Sequence, residues 1–417
     1  MNIKTTLKSS VAAAALFAVA APVSTTAMAA DDTLKSGQKT NLTMSGFITR
    51  AIFHADNGND EKLFYTGGGG GQTRIRWVAS GTLNDNVTAG GTVEMTMPQA
   101  GNEGSVRLAT TAPGGGGTDN GDTAAWSIRH EYVWVNHKKM GKLSLGHTSV
   151  ASDGNGEISS SGTTGIYSRT GRTYGRSLHF INTTTAATPT VSVNTVDGVF
   201  NDLNVDRTDV IRYDTPSFMG ASAKVARHTD GQWSVGLKYG GKFGGFKVSA
   251  GAGYINHNSG SSSSNFTALG SIGILHDSGL NVSYQTGKKN FAGPNSKSTN
   301  TGNVTNVTAI DTTNLGGRDD PFFHGVQIGY QAPKLTSLGS TSFSVSWQSS
   351  QNIKENDGDA ETWGVQVMQK IDALGANVGV SYQTYSYDSN SESTVGTVVN
   401  ETFDDIDVFA LQTTFNF

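Results

Sequence analysis

The most reactive spacing in the chain is His147-Thr148-Ser149, a histidine two residues from a hydroxyl that it could deprotonate. Nucleophilic catalysis also asks for a third polar group to orient the imidazole. No flanking motif supplies one, so a hydrolytic site is a minor expectation and the chain reads as no enzyme. Metal chemistry fares little better. The 9 histidines are scattered, no two are spaced His-x-x-x-His, and there is no cysteine. Three acidic turns, at 119–122, 153–157 and 355–359, hold carboxylates that could take Ca²⁺, but none has the full spacing of a helix-loop-helix site. Asp, Asn and Gly are ordinary turn formers, and solvated turns account for these stretches. No cofactor is expected beyond Ca²⁺ in those acidic loops. The glycine run Gly67 to Gly71 has no Lys-Ser/Thr after it and falls between strands, so it does not read as a phosphate cradle.

What must position these residues is a long series of strands. Trp233, Val235, Leu237 and Tyr239 share one face, while Gln232, Ser234, Gly236 and Lys238 share the other. The same period of two runs through Phe246 to Tyr254, Phe343 to Trp347 and Leu374 to Tyr382. A soluble sandwich also alternates, so the segment ends decide. Aromatic residues sit there: Trp233 and Tyr239, Phe246 and Tyr254, Phe322 and Tyr330. That placement suits an apolar band with aromatic girdles at two membrane interfaces. The opposite face is rich in Ser, Asn, Gln and Gly, which a wet lumen accepts and a dry interior does not. Charge at Val235 or Leu237 is therefore expected to be costly, and a change at Ser234 cheap.

Strands are expected near 42–55, 72–82, 86–97, 125–137, 141–149, 208–214, 220–229 and 231–240. They continue near 245–256, 265–276, 279–288, 322–332, 340–350, 361–371, 374–386 and 404–417. The fold class is thus all-β: a transmembrane antiparallel barrel of about sixteen strands, an even number typical of bacterial barrels. Connections alternate between short turns and long loops, with the long ones (56–71, 98–124, 150–207, 289–321, 351–360, 387–403) expected on one side.

The N-terminus agrees with export. Lys4 and Lys8 precede an Ala-rich apolar stretch from Val11 to Val23, and Ala27-Met28-Ala29 is a small-x-small cleavage signal. Residues 1–29 are expected to be a signal peptide, cut after Ala29 or Ala30, and 30–417 a single barrel. Losing Lys4 and Lys8 takes the 30 basic residues to 28, against 34 acids, for a net charge of −6. That balance excludes the basic face of a nucleic-acid binder. Hydrophobic content is 35% and mean hydropathy is −0.31, which a barrel tolerates because only alternate strand residues meet lipid. No later segment approaches the ~20 apolar residues of a membrane helix. Without disulfides, an exported chain of this size needs a large core or a closed hydrogen-bond network.

The last segment places Phe409, Leu411, Phe415 and Phe417 on one face and ends on Phe. It resembles the terminal assembly signal of outer-membrane proteins, which the barrel-assembly machinery reads. Three further stretches are Ser45-Gly46-Phe47, Gly141 to Gly146 (Gly-Lys-Leu-Ser-Leu-Gly) and Arg212 to Gly220 (Arg-Tyr-Asp-Thr-Pro-Ser-Phe-Met-Gly). In order and spacing the chain resembles the trimeric general porins of Gram-negative bacteria. The resemblance implies passive diffusion of small hydrophilic solutes across the outer membrane, a homotrimer, and contact with lipid and lipopolysaccharide. It also implies an inward-folded third loop, about 150–207, that narrows the pore with Asp153 and Glu157. Arg74, Arg76 and Arg129 would face them, with Glu94 nearby. Parity puts Arg74 and Arg76 opposite Ile75 and Trp77, in keeping with a lumen position. One departure is His147, where the family usually has Arg, and it would lower the positive charge at the constriction.

Two alternatives stay open. One is a solute-selective channel with a binding site at the constriction. The other is an adhesin or receptor barrel using its long loops, though no plug or passenger domain is evident.

Overall fold

The computed structural model describes residues 34–35, 40–69, 71–97, 108, 126–167, 172–184, 189–257, 264–291, 320–354, 358–394 and 397–417. The expected signal peptide, the acidic turn 119–122 and residues 355–357 lie outside them.

Sixteen antiparallel strands close into one barrel. They are β1 (Asn41–Asp56), β2 in two segments (Glu61–Thr66 and Arg74–Asn84), β3 (Val87–Thr96), β4 (Ser127–His137) and β5 (Gly141–Ser149). After the third loop, L3, come β6 (Arg207–Asp214), β7 (Ala221–His228), β8 (Trp233–Phe243), β9 (Phe246–Asn256), β10 (Ser264–His276) and β11 (Leu280–Phe291). The last five are β12 (Phe322–Thr336), β13 (Gly339–Gln351), β14 (Asp359–Ile371), β15 (Ala376–Thr394) and β16 (Ile406–Asn416). Each strand pairs with the next. The ring shuts where β16 meets β1, from Phe47 opposite Asn416 to Asp56 opposite Asp407. Gly46 and Phe417 exchange backbone hydrogen bonds of 2.8 and 3.1 Å at the seam. Closure leaves no edge strand unpaired, which is what a β-protein needs in lipid.

The side-chain period sets the two faces. Leu237, Val225, Val345 and Ile328 point outward and are exposed in the single chain. Outward rings pack along one rim, with Trp233 and Tyr254 at 5.5 Å and Tyr254 and Phe266 at 5.7 Å. The β8–β9 hairpin turns on Gly244 and Gly245, whose φ values of 50° and 88° favour glycine.

Two elements depart from expectation. The first outer connection is the tight turn 57–60, not a loop over 56–71, and Glu61–Thr66 is barrel strand. The ladder of β2 is then interrupted: Thr66 pairs with Ala51 and Arg74 with Phe47, so only Ile48 to Arg50 separate the two pairings on β1. In that gap Thr73 replaces the ladder, its hydroxyl accepting the Thr49 N–H at 3.1 Å and donating to the Thr49 carbonyl at 3.4 Å. Second, β15 runs on to Thr394 and pairs with Thr397–Thr402, forming a tall hairpin where a loop over 387–403 was expected.

The molecule's apolar core lies inside the barrel. L3 carries a hairpin, His179–Asn182 with Thr190–Thr195, and a single helical turn, Val196–Val199. Leu178, Phe180, Val196, Val199 and Phe200 from L3 bury against Phe53 and Phe64, Tyr385 and Tyr387, Ile406 and Val408. This fixes the phase of β1, whose sequence carries apolar residues on both faces. Met44, Ile48 and Ile52 face outward, while Phe53 stacks on Phe64 at 4.8 Å and meets Tyr174 of L3 at 5.4 Å. The second face of β1 is buried by its own chain, so no subunit contact is needed to explain its apolar residues.

Candidate functional site

L3 leaves β5 at Val150 and crosses the inner wall strand by strand. Ala151 N–H donates to Ser234 on β8 at 3.0 Å, and Ile158 N–H to Ser271 on β10 at 2.9 Å. Ser160 N–H reaches Ser283 on β11 at 2.8 Å, and Thr163 shares a 2.7 Å hydroxyl contact with Ser344 on β13. Gln412 on β16 donates to the Gly165 carbonyl at 2.6 Å, and Tyr385 on β15 to the Tyr174 carbonyl at 2.8 Å. The polar inner face of β8 to β16 is therefore a dock for L3 rather than an open wet wall. Its buried Ser and Gln groups are satisfied partly by L3 peptide groups and partly by one another, as with Gln285 and Gln348 at 2.8 Å and Ser344 and Gln366 at 2.7 Å.

The charge gathers on the wall strands β2, β3 and β4, away from the serine-lined dock. Glu94 on β3 is only 1% exposed and sits among three guanidiniums. Arg129 on β4 donates to it at 2.9 Å, Arg74 approaches to 3.5 Å, and Arg76 pairs with its second oxygen. Arg74 also stacks over Phe47 at 4.8 Å. The four wall residues read from the sequence thus form one cluster, with the carboxylate as its hub. Arg76, its side chain 46% exposed, presents the most charge to the lumen.

Asp153 and Glu157 are also brought together, near the start of L3. Asp206, from the end of the same loop, joins them, and the three groups have carboxylate oxygens within 4.8 Å of one another. That spacing is within reach of one divalent cation. Asn204 donates to Asp153 at 3.0 Å and to Asp206 at 3.2 Å, and Arg207 pairs with Asp206 at 3.2 Å. Asp206 keeps 53% of its side chain exposed. Its partial desolvation beside the wall, then the neighbouring carboxylates of Asp153 and Asp202, hold its carboxyl above the ordinary range. Asp206 and Arg207 were not legible as site residues, because about fifty positions separate them from Asp153.

His147 is not part of the constriction. It faces outward with Leu143 and Leu145, and its Nδ1 lies 3.4 Å from Asp209. Its replacement of an Arg therefore takes no charge from the lumen, and it has no hydrogen bond to Ser149. At the C-terminus Phe409, Leu411, Phe415 and Phe417 all lie exposed on the outer face.

A family model described as Gram-negative porin matches residues 11–390. No curated protein sequence matches the chain. Among solved structures, OmpT, an outer membrane protein of Vibrio cholerae, superposes with a TM-score of 0.53 at 14% identity, covering 93% of this chain and 100% of that one. Its trimer form matches with a TM-score of 0.53 at 14% identity, over 91% and 100% of the two chains. An anion-selective porin from Comamonas acidovorans gives 0.53 at 12% identity, over 91% and 100%. With a closed barrel, an inward L3 and a family match along most of its length, this chain belongs to the Gram-negative porins, outer-membrane channels through which small solutes diffuse.

Proposed function

We propose that the narrowest section of the channel runs between the Arg74, Arg76, Arg129 and Glu94 cluster on the wall and the Asp153, Glu157 and Asp206 cluster of L3. One observation carries this reading: three guanidiniums from β2 and β4 share a single carboxylate on β3, while three carboxylates gather on L3. Opposed excess charges set up a transverse field that orders water and orients dipolar solutes, so apolar solutes pass less readily. Reversal potentials under a salt gradient test it. Arg74→Ala with Arg76→Ala moves the preference toward cations, and Asp153→Asn with Glu157→Gln moves it toward anions. Unchanged potentials in both pairs would remove the assignment.

The chain assembles as a homotrimer through the outer face of β1. Arg50 lies there between exposed Ile48 and Ile52, with no hydrogen bond or ion pair to any described residue. A charge on the lipid face near the midplane costs about 2–4 kcal/mol, and contact with a second copy relieves that cost. Phe409, Leu411, Phe415 and Phe417 serve as the assembly signal, and residues 1–29 as the signal peptide. A solute-selective channel is the second reading, favoured by the extent to which L3 lines β8 to β16. Saturable block of the current by one solute class would distinguish it from a general diffusion pore.

A further inference from the structure

We propose that a track of lumen-facing glycines on β8, β9 and β10 sets the width of the channel by letting L3 lie against bare strand backbone. Gly236 and Gly253 are direct cross-strand partners on β8 and β9, Gly251 faces Ser271 on β10, and Gly273 faces Ser283 on β11. A Cβ at Gly236 would run into the Ala151 carbonyl oxygen. One at Gly251 would lie 2.8 Å from the Asn155 carbonyl oxygen and 3.0 Å from its Cα, and one at Gly253 would lie 3.0 Å from the Ser152 carbonyl oxygen. At Gly273 it would meet Ser160 Oγ at 2.5 Å and the Ser160 nitrogen at 3.1 Å. Most of these neighbours are backbone, which cannot rotate aside.

None of the four glycines has a φ in the left-handed region, so conformational freedom is not what the positions use. What they supply is space. Beside that space stand the serine hooks: Ser234 is two residues from Gly236, Ser271 is opposite Gly251, and Ser283 is opposite Gly273. Each takes an L3 N–H at 2.8 to 3.0 Å, a distance L3 reaches only if the neighbouring position lacks a side chain. Glycine and serine thus act as a pair, one giving room and the other holding. With L3 drawn to the wall, the open section between it and β2 to β4 is as wide as the barrel permits. A methyl group on the track displaces L3 into that section and breaks the hook beside it.

The test is single-channel conductance, with liposome swelling in sugars of graded size, on Gly236→Ala, Gly251→Ala and their combination. The expected result is lower conductance and a smaller exclusion limit, larger in the double variant, with folding confirmed by heat-modifiable migration. Gly240→Ala is the control: it lies on the lumen side of β8 with open space where its Cβ would stand, and it should conduct as the parent does. Folded track variants with parental conductance and exclusion limit would overturn the proposal. Should they not fold, an engineered pair decides. Thr163→Cys with Ser344→Cys joins L3 to β13 away from the glycine track, where the two hydroxyls lie 2.7 Å apart, in a chain that has no cysteine of its own. A bond that forms in the folded barrel and leaves conductance unchanged fixes L3 against the wall in its conducting position. A pair that stays reduced under oxidant, or that alters conductance on closing, contradicts it.

Discussion

Arg129 Nε lies 2.9 Å from Glu94 Oε1, at a β-bulge that turns two successive side chains of β4 into the lumen. Glu94 pairs with His130 and Met95 with Ile128, which leaves Arg129 extra in the register. Arg129 then reaches Glu94, and His130 reaches Thr148 on β5 at 3.1 Å. Bulges of this kind re-aim side chains at functional places.

Glu94→Gln keeps the shape of the hub and removes its charge. Stripping one partner from a buried ion cluster costs about 3–5 kcal/mol, and the retained amide should keep the loss near the lower figure. The folded barrel should therefore unfold at a lower temperature on semi-native gels. Its reversal potential should shift toward anions, because three guanidiniums lose their counter-charge. A variant with parental stability and selectivity would show that Glu94 is not the hub.

Asp206 makes selectivity depend on pH. Its carboxyl is held above the ordinary range, so its negative charge is present above that raised value and lost as pH falls through it. Moving from neutral into mildly acidic solution should shift the preference toward anions, earlier than ordinary carboxylates would allow. Asp206→Asn should remove that early part of the shift. An identical pH profile in the variant would contradict this role.

Val235 and Leu237 differ from Ser234 in a way the alternation only half conveys. Leu237 is 53% exposed on the outer face, and an Arg there should cost about 2–4 kcal/mol if it lies near the midplane. Ser234 was expected to be an inexpensive lumen position, and that expectation was wrong. It accepts the Ala151 N–H and contacts His228 at 2.9 Å while fully buried, so Ser234→Ala should cost about 1–3 kcal/mol through an unsatisfied peptide group. Equal and negligible losses at both positions, by urea titration in detergent or lipid, would refute the two-faced assignment.

Arg50→Glu should weaken the homotrimer while leaving the monomer barrel folded, since its side chain has no partner among the described residues of its own chain. Cross-linking and native mass measurement would show monomers at concentrations where the parent is trimeric. Undiminished trimers would move the interface away from this face of β1.

Much of this was legible in the sequence because alternation is local. Thirteen-residue windows such as 374–386 carry both faces of a strand, and short turns between them count the hairpins. Arg74 and Arg76 were legible for the same reason, since parity with Ile75 and Trp77 put both inside. What escaped was whatever depends on a distant segment. The Ser and Gln of β8 to β16 look alike whether water or L3 covers them. Gly67 to Gly71 reads as a loop, although Gly68 lies against Thr49 and Gly69 against Thr173 and Tyr174 of L3. Asp206 joins Asp153 and Glu157 only once L3 has turned back on itself.

The most direct test of the account is single-channel recording of the purified protein in a planar bilayer under a salt gradient. Ohmic steps that close in threes are expected, with a reversal potential that moves in opposite directions when Arg76 and Asp153 are neutralised in turn. Correctly folded protein that passes no current would contradict an open channel between L3 and the charged wall.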